Sequence, residues 1–282
     1  MKEKIKEFIK LTNFEFERMS KFLFGLIGFT LVTNLIAYFL VPLLYMRRVN
    51  EYISTNSATI SEAKEMFAPF SFFSMTNSFW IMGPILVGIT ALLFYSVFTW
   101  YREWFGKNTF AYRLLILPIS RMTIFFSKLV NIFIAIFALI ASQMLSFAMG
   151  YPIVNMLIDK AFLSDMSLIE SIRMNLSFHY LFPFDPKMFL MIIGLGLVFL
   201  ISLFTFILFE RSYGIKGIIM GILYGVLSSL VIALPIFIPN LLKNYYILYG
   251  SESAFLLVFS FTLVAISSLF ISRYLLNKKI TV

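Results

Sequence analysis

The chain has 282 residues, of which 60% are hydrophobic and 13% charged, with 35 phenylalanines and a net charge of +9. So much apolar surface cannot be hidden in one water-soluble core, which excludes a soluble globular domain and predicts an all-α integral membrane protein. The absence of cysteine excludes disulfides, thiolate metal sites and thiol catalysis.

Residues 1–20, MKEKIKEFIKLTNFEFERMS, place Ile5, Phe8, Ile9, Phe16 and Met19 at helical spacing beside Lys2, Lys4, Lys6 and Lys10. This predicts an amphipathic helix lying in the headgroup region before the chain turns into the membrane. Such a helix serves either as a basic anchor or as a docking element. Crossing roughly 30 Å of hydrocarbon takes about 20 apolar residues, and six runs qualify, at about 22–45, 78–100, 122–150, 188–209, 214–239 and 253–273. The first is too long for a signal-peptide core and leads into Arg47 and Arg48 without a small-residue cleavage site, so it is read as a retained span.

With both termini inside, 16 of the 23 cations fall on the cytoplasmic side and the outer loops are close to neutral. The positive-inside rule selects this topology, and that bias together with anionic lipid accounts for the net charge without nucleic acid. The whole chain, 1–282, reads as a single transmembrane domain in a cell (plasma) membrane.

Between spans one and two, SEAKEMF carries a Ser and Glu pattern that starts a short helix. Between spans three and four, VNMLIDKAFL and SLIESIRMNL predict two short helices on the outer membrane face, and the sequon Asn175-Leu176-Ser177 is given no meaning. A tight cytoplasmic turn at 209–214 makes spans four and five antiparallel neighbours. In span five Gly217, Gly221 and Gly225 form a small-residue ridge, suited to packing within the chain or to a subunit interface. Pro235 and Pro239 bracket the outer end of that helix, and a small re-entrant turn is expected after it.

Catalytic signatures are missing. The one histidine, His179, lies in an outer loop, and neither HExxH nor an Asp/Glu pair occurs within a span. No carboxylate lies inside the six runs, which disfavours a proton- or sodium-coupled carrier. Asn34, Asn131 and Gln143 are the polar residues inside, able to line a pathway or to hydrogen-bond between helices. No GxxxxGK[ST] loop exists, so the chain has no ATP site and no cofactor of its own, and any ATP-driven role needs a partner.

The connection between spans two and three, YREWFGKNTFAYRLLILPISRMTIFFSKL, is the longest internal cytoplasmic one. Asn108 or Thr109 can cap a short helix in which Phe110, Arg113, Leu114 and Leu117 share a face, Pro118 stops it, and Ser120 caps the next span. Such a helix either parks its apolar face in lipid or enters a groove on a soluble protein. Glu103 is the acid of this loop, and Arg18, Lys21 or Arg113 could pair with it at the surface.

Here the sequence resembles the permease subunits of type-2 ABC exporters. The likeness is carried by the six-span layout with both ends inside, the basic N-terminal helix ending in Asn13-Phe14-Glu15-Phe16-Glu17-Arg18, and Leu117-Pro118-Ile119-Ser120-Arg121 followed seven residues later by Lys128. The resemblance implies a cytoplasmic coupling helix between spans two and three. It puts Phe110, Arg113, Leu114 and Leu117 against an ATPase subunit and makes Pro118, Ser120 and Arg121 the hinge into span three. It further implies two cytoplasmic ABC ATPase subunits holding ATP and Mg, a second permease copy or paralogue, and a bacterial membrane. The short connection between spans five and six departs from sterol and polysaccharide exporters and looks more like small bacterial exporters of peptides or antimicrobials. The expected cargo is a hydrophobic or amphipathic peptide, suited to Phe- and Met-rich spans. Two other readings compete: a non-transporting sensor or assembly component that holds a cytoplasmic partner, and a carrier that needs no ATPase.

Overall fold

The computed structural model of the protein describes residues 2–104, 119–241 and 250–280. Their regular elements are α1 Lys2–Asn56, α2 Ile60–Met66, α3 Phe72–Thr76, α4 Phe79–Trp104, α5 Arg121–Leu157, α6 Leu168–Met174, α7 Leu176–Leu181, α8 Pro186–Tyr213, α9 Ile215–Leu241 and α10 Gly250–Tyr274, followed by a π turn, Leu275–Lys279. Six of these helices, α1, α4, α5, α8, α9 and α10, are long and apolar enough to cross a bilayer. The chain is therefore a multi-pass membrane protein with as many candidate spans as its hydropathy predicts. Both Pro235 and Pro239 lie within α9 instead of marking its end, and the expected re-entrant turn falls largely on 242–249, outside the described residues.

The separate interfacial helix expected over 1–20 is not there. Instead α1 runs unbroken for 55 residues, roughly 80 Å at 1.5 Å per residue. Nothing before Pro42 removes a backbone donor, and a helix can carry a proline in lipid where neighbouring groups satisfy the freed carbonyl. The face it buries only partly coincides with the apolar stripe, sharing Met19 with it. Leu11, Glu15 and Met19, four residues apart, are 7%, 2% and 0% exposed, whereas Ile5 and Ile9 are 53% and 60% exposed.

Two compact units divide the chain, and long helices contribute to both. In the unit of residues 17–92 and 133–184, α1 and α5 run parallel, since Asn34 pairs with Gln143 and Ser146 while Tyr38, one turn on, pairs with Ser146 and covers Gly150. Gly150 is obligatory there because a Cβ would run into the Tyr38 ring. Below the short helices lies an aromatic core. Phe72 packs on Tyr38 and Phe147 at 6.2 and 5.9 Å between ring centroids, and Phe178 on Phe147 at 5.0 Å.

The short elements of this unit are fixed by caps. The box that starts α2 sits two residues before the SEAKEMF stretch: Thr59 N donates to Glu62 Oε2 at 2.7 Å, and Glu62 N donates to Thr59 Oγ1 at 3.4 Å. VNML belongs to the last turn of α5, so the first of the two short helices expected after span three does not form separately. The second, α6, starts from a Ser167–Glu170 box. Asn175 then ends it and caps α7, its Oδ1 accepting from Ser177 N and Phe178 N and its Nδ2 donating to Thr76 Oγ1 and Asn77 Oδ1. At 1% exposure the sequon asparagine is a structural tie.

The backbone hydrogen bond from Thr59 is the main cause holding the Glu62 carboxyl below its ordinary value of 4.5. A group whose value is lowered by folding stabilises the fold above its unfolded value and stops doing so as pH falls through the folded one. Acidification through and below pH 4.5 is therefore expected to speed amide hydrogen exchange in 60–66, after correction for intrinsic rates. Glu62→Gln should flatten that dependence.

In the unit of residues 1–16, 93–132 and 185–282, α8 and α9 form an antiparallel hairpin joined by one residue. That residue is Gly214, whose φ of +59° is the conformation that ends α8 without a Cβ clash. Gly217 lies against the Phe209 carbonyl and Gly221 against the Phe206 ring, so this part of the glycine ridge serves packing within the chain. A Cβ on Gly225 would meet nothing within 4 Å. The third helix, α10, packs on both and runs parallel to α8: Ser202 faces Ser268 and Thr205 faces Ser272 at 3.4 and 2.9 Å between hydroxyl oxygens. Tyr224 hydrogen-bonds Ser268, which ties α9 to the same hydroxyl ladder.

Candidate functional site

Lys128 stands seven residues after Arg121, in an apolar stretch of α5, and its side chain is 0% exposed. A buried ammonium needs counter-charges and acceptors, because desolvation alone would cost several kcal/mol. Both kinds are present. Lys128 Nζ donates to Glu15 Oε1 at 2.7 Å, to Glu103 Oε1 at 3.1 Å and to the Thr99 carbonyl at 3.0 Å. Arg102 donates to the other oxygen of Glu15 at 3.1 Å. Two cations thus meet two carboxylates, and the group is neutral overall. Trp100 closes it on the apolar side, with Lys128 Nζ 5.7 Å from its ring centroid and with Phe204 packed on its indole at 5.4 Å.

The geometry ties three pieces of chain together. Glu15 comes from α1, Thr99, Arg102 and Glu103 from the end of α4, and Lys128 from the second turn of α5. Asn131, one turn further, donates to the Thr12 carbonyl and the Ser127 carbonyl at 2.9 Å each, and Leu11 packs with Ile124 and Ile119. The end of α4 and the start of α5, the described residues on either side of 105–118, are therefore both held by buried contacts.

A second set of contacts secures the same helix ends. The Arg121 guanidinium donates to the Leu276 carbonyl and, at 2.6 Å, to the Ile280 carbonyl, closing the C-terminal turn. Tyr101 donates to Glu210, and the Arg211 guanidinium stacks over the Tyr101 ring at 4.3 Å and lies 5.8 Å from the Trp104 ring. The turn between α8 and α9 is thereby joined to the end of α4. Ser120, the residue before α5, bonds Thr123 Oγ1 at 2.8 Å through its hydroxyl, and its carbonyl accepts from Thr123 N.

Several expectations change here. Glu103 is buried and not a surface acid, and Arg113, one of its expected partners, lies outside the described residues. Glu103 is 3% exposed, with Lys128 Nζ at 3.1 Å and the Arg102 guanidinium at 3.9 Å. Arg121, expected at the partner contact and at the hinge, gives its guanidinium to the Leu276 and Ile280 carbonyls. Asn34, Asn131 and Gln143 line no open passage in this conformation, being 0%, 3% and 4% exposed. They hydrogen-bond between helices, as their short amide side chains allow. Phe110, Arg113, Leu114, Leu117 and Pro118, with the coupling helix they would form, lie outside the described residues.

The residues that sequence reasoning missed are Glu15, Thr99 and Glu210. The signal for the first was Lys128 itself, since a lysine inside an apolar helix demands an anion. Among the described residues no group of three or more His, Cys, Asp or Glu side chains is arranged to hold a metal. Compared with family models, curated proteins and solved structures, the chain matches none of them.

Proposed function

We propose that this chain is the membrane-spanning permease subunit of an ATP-driven exporter, carrying a hydrophobic or amphipathic peptide outward. In this reading both termini and residues 105–118 are cytoplasmic. A separate ABC ATPase subunit binds the 105–118 connection and supplies the ATP and Mg chemistry that the chain lacks. The observation that carries the reading is the buried Glu15–Arg102–Glu103–Lys128 network at the base of that connection. With both feet locked to α1 and to each other, a push on 105–118 would be delivered to three spans together. A connection anchored only at its covalent ends would lose that push in local bending. The motif residues Arg121 and Lys128 have the anchoring part in this arrangement, which leaves Phe110, Arg113, Leu114 and Leu117 for the partner.

The test is co-expression with candidate ATPase subunits that carry GxxxxGK[ST], followed by co-purification and peptide-stimulated ATP hydrolysis in proteoliposomes. Arg113→Glu combined with Leu114→Asp is expected to weaken association by at least about tenfold, the loss that follows from one interface contact worth about 1.4 kcal/mol. If association and ATP-driven export both survive that change, the coupling role is wrong. Association without export would instead favour a non-transporting membrane component that holds the same kind of partner.

A further inference from the structure

We infer that the helix pair α6–α7 is seated in the lipid interface as a phospholipid-contacting element, with Ile169, Met174, Leu176, Tyr180 and Phe184 in the acyl boundary and Arg173 at the phosphates. The leaflet is the outer one under the topology proposed above. The seating itself rests only on the unit of residues 17–92 and 133–184.

Depth is the first argument. Phe178 of α7 packs on Phe147, and Phe182 lies 6.2 Å from the same ring. Phe147 is ten residues before Leu157, the last residue of α5, which places it roughly 15 Å back along that helix. The neighbouring layer agrees: Asn175 is bonded to Thr76 at the end of α3, and α3 packs through Phe72 on Tyr38. Tyr38 precedes the Arg47–Arg48 pair by nine residues of continuous helix, about 13 Å. The pair α6–α7 is therefore held beside the apolar stretches of α1 and α5, well short of the polar ends of those helices.

Surface chemistry is the second. Ile169, Met174, Leu176, Tyr180 and Phe184 are 56%, 64%, 71%, 55% and 42% exposed, too many large apolar groups for a 16-residue segment facing water. The helix that supports the pair also exposes large apolar residues, Leu145, Met149 and Met156. Arg173 lies over the Phe184 ring at 4.7 Å, an arrangement that keeps the guanidinium beside an aromatic at the headgroup level. Tyr180 and the exposed His179 and Glu170 suit the same layer.

Backbone satisfaction is the third. Two helices of seven and six residues would leave many unpaired N–H and C=O groups at this depth, where lipid cannot pair them. The Ser167–Glu170 box and the four hydrogen bonds of Asn175 supply partners where the two helices start and meet.

The cysteine-free chain allows a direct test. Leu176→Cys and Tyr180→Cys, both exposed positions that leave the core intact, are spin-labelled in the full chain and reconstituted in phosphatidylcholine–phosphatidylglycerol vesicles. Lys64→Cys on α2 is the water-facing reference. Collision rates with molecular oxygen and with a water-soluble nickel chelate are read by power saturation. Seating in the leaflet predicts that oxygen exceeds nickel several-fold at 176 and 180, with the order reversed at 64. Nickel access at 176 and 180 equal to that at 64 would mean a water-facing pair and overturns the proposal. Protection from both reagents would mean cover by a second copy or another chain and overturns it equally.

Discussion

Lys128→Met is expected to destabilise the protein by about 3–5 kcal/mol, because it strips the counter-charge from two carboxylates that stay buried. Glu15 and Glu103 are 2% and 3% exposed, and Arg102, at 3.1 Å from Glu15 and 3.9 Å from Glu103, cannot neutralise both. The excess negative charge is the cause of the loss, and a second substitution can separate it from the loss of packing. In Lys128→Met with Glu103→Gln the Arg102–Glu15 pair is left balanced, and methionine fills much of the lysine stem's space against Trp100. The double variant is expected to recover about 2 kcal/mol of the single variant's loss, within the range of coupling energies for directly paired groups. Thermal unfolding in detergent, read by tryptophan fluorescence, gives both numbers. Equal loss in the single and double variants would show that the acids are not acting through Lys128.

The membrane class and the number of spans were legible because they depend on sums over about 20 residues, which no single contact can overturn. The caps were half legible. Ser and Glu near 61–65 announced a helix start, but which hydroxyl takes the cap is decided by the chain's path, and Thr59 took it. The N-terminal segment was misread for a clear reason. Its apolar stripe has helical period, and period says that a helix forms without saying whether the helix stops. With no breaker before Pro42, continuity was the simpler outcome, and the face turned inward was chosen by Glu15. A carboxylate two and three residues from Glu17 and Arg18 looks like a surface charge in sequence, while in three dimensions it answers Lys128 from 113 positions away. Buried ion pairs of this kind are invisible to local patterns. Their one advance sign is a lone charge in an apolar run, here Lys128, which the family-like motif had marked without assigning it a partner.

The glycine ridge of α9 carries the second large effect, and it sorts into three different outcomes. Gly217→Ala is expected to destabilise the protein by about 1–3 kcal/mol, the usual cost of overpacking. The new methyl would collide with the Phe209 carbonyl and lie 2.9 Å from Glu210 Cα, and neither is the end of a side chain that can swing aside. The hairpin between α8 and α9 has one joining residue, Gly214, so it cannot relieve the clash by sliding. Gly221→Ala meets the Phe206 ring at 2.6 Å, and a ring can tilt, so its effect should be smaller. Gly225→Ala meets nothing and should be neutral or stabilising by up to about 1 kcal/mol, since alanine is the better helix former. Thermal unfolding of the three variants in one detergent orders them. If Gly225→Ala were as damaging as Gly217→Ala, the packing account would fail and a contact from outside the chain would be needed at 225. If it alone reduced association between copies while leaving the unfolding midpoint unchanged, the ridge would be divided: 217 and 221 for the hairpin, 225 for a second copy of the chain.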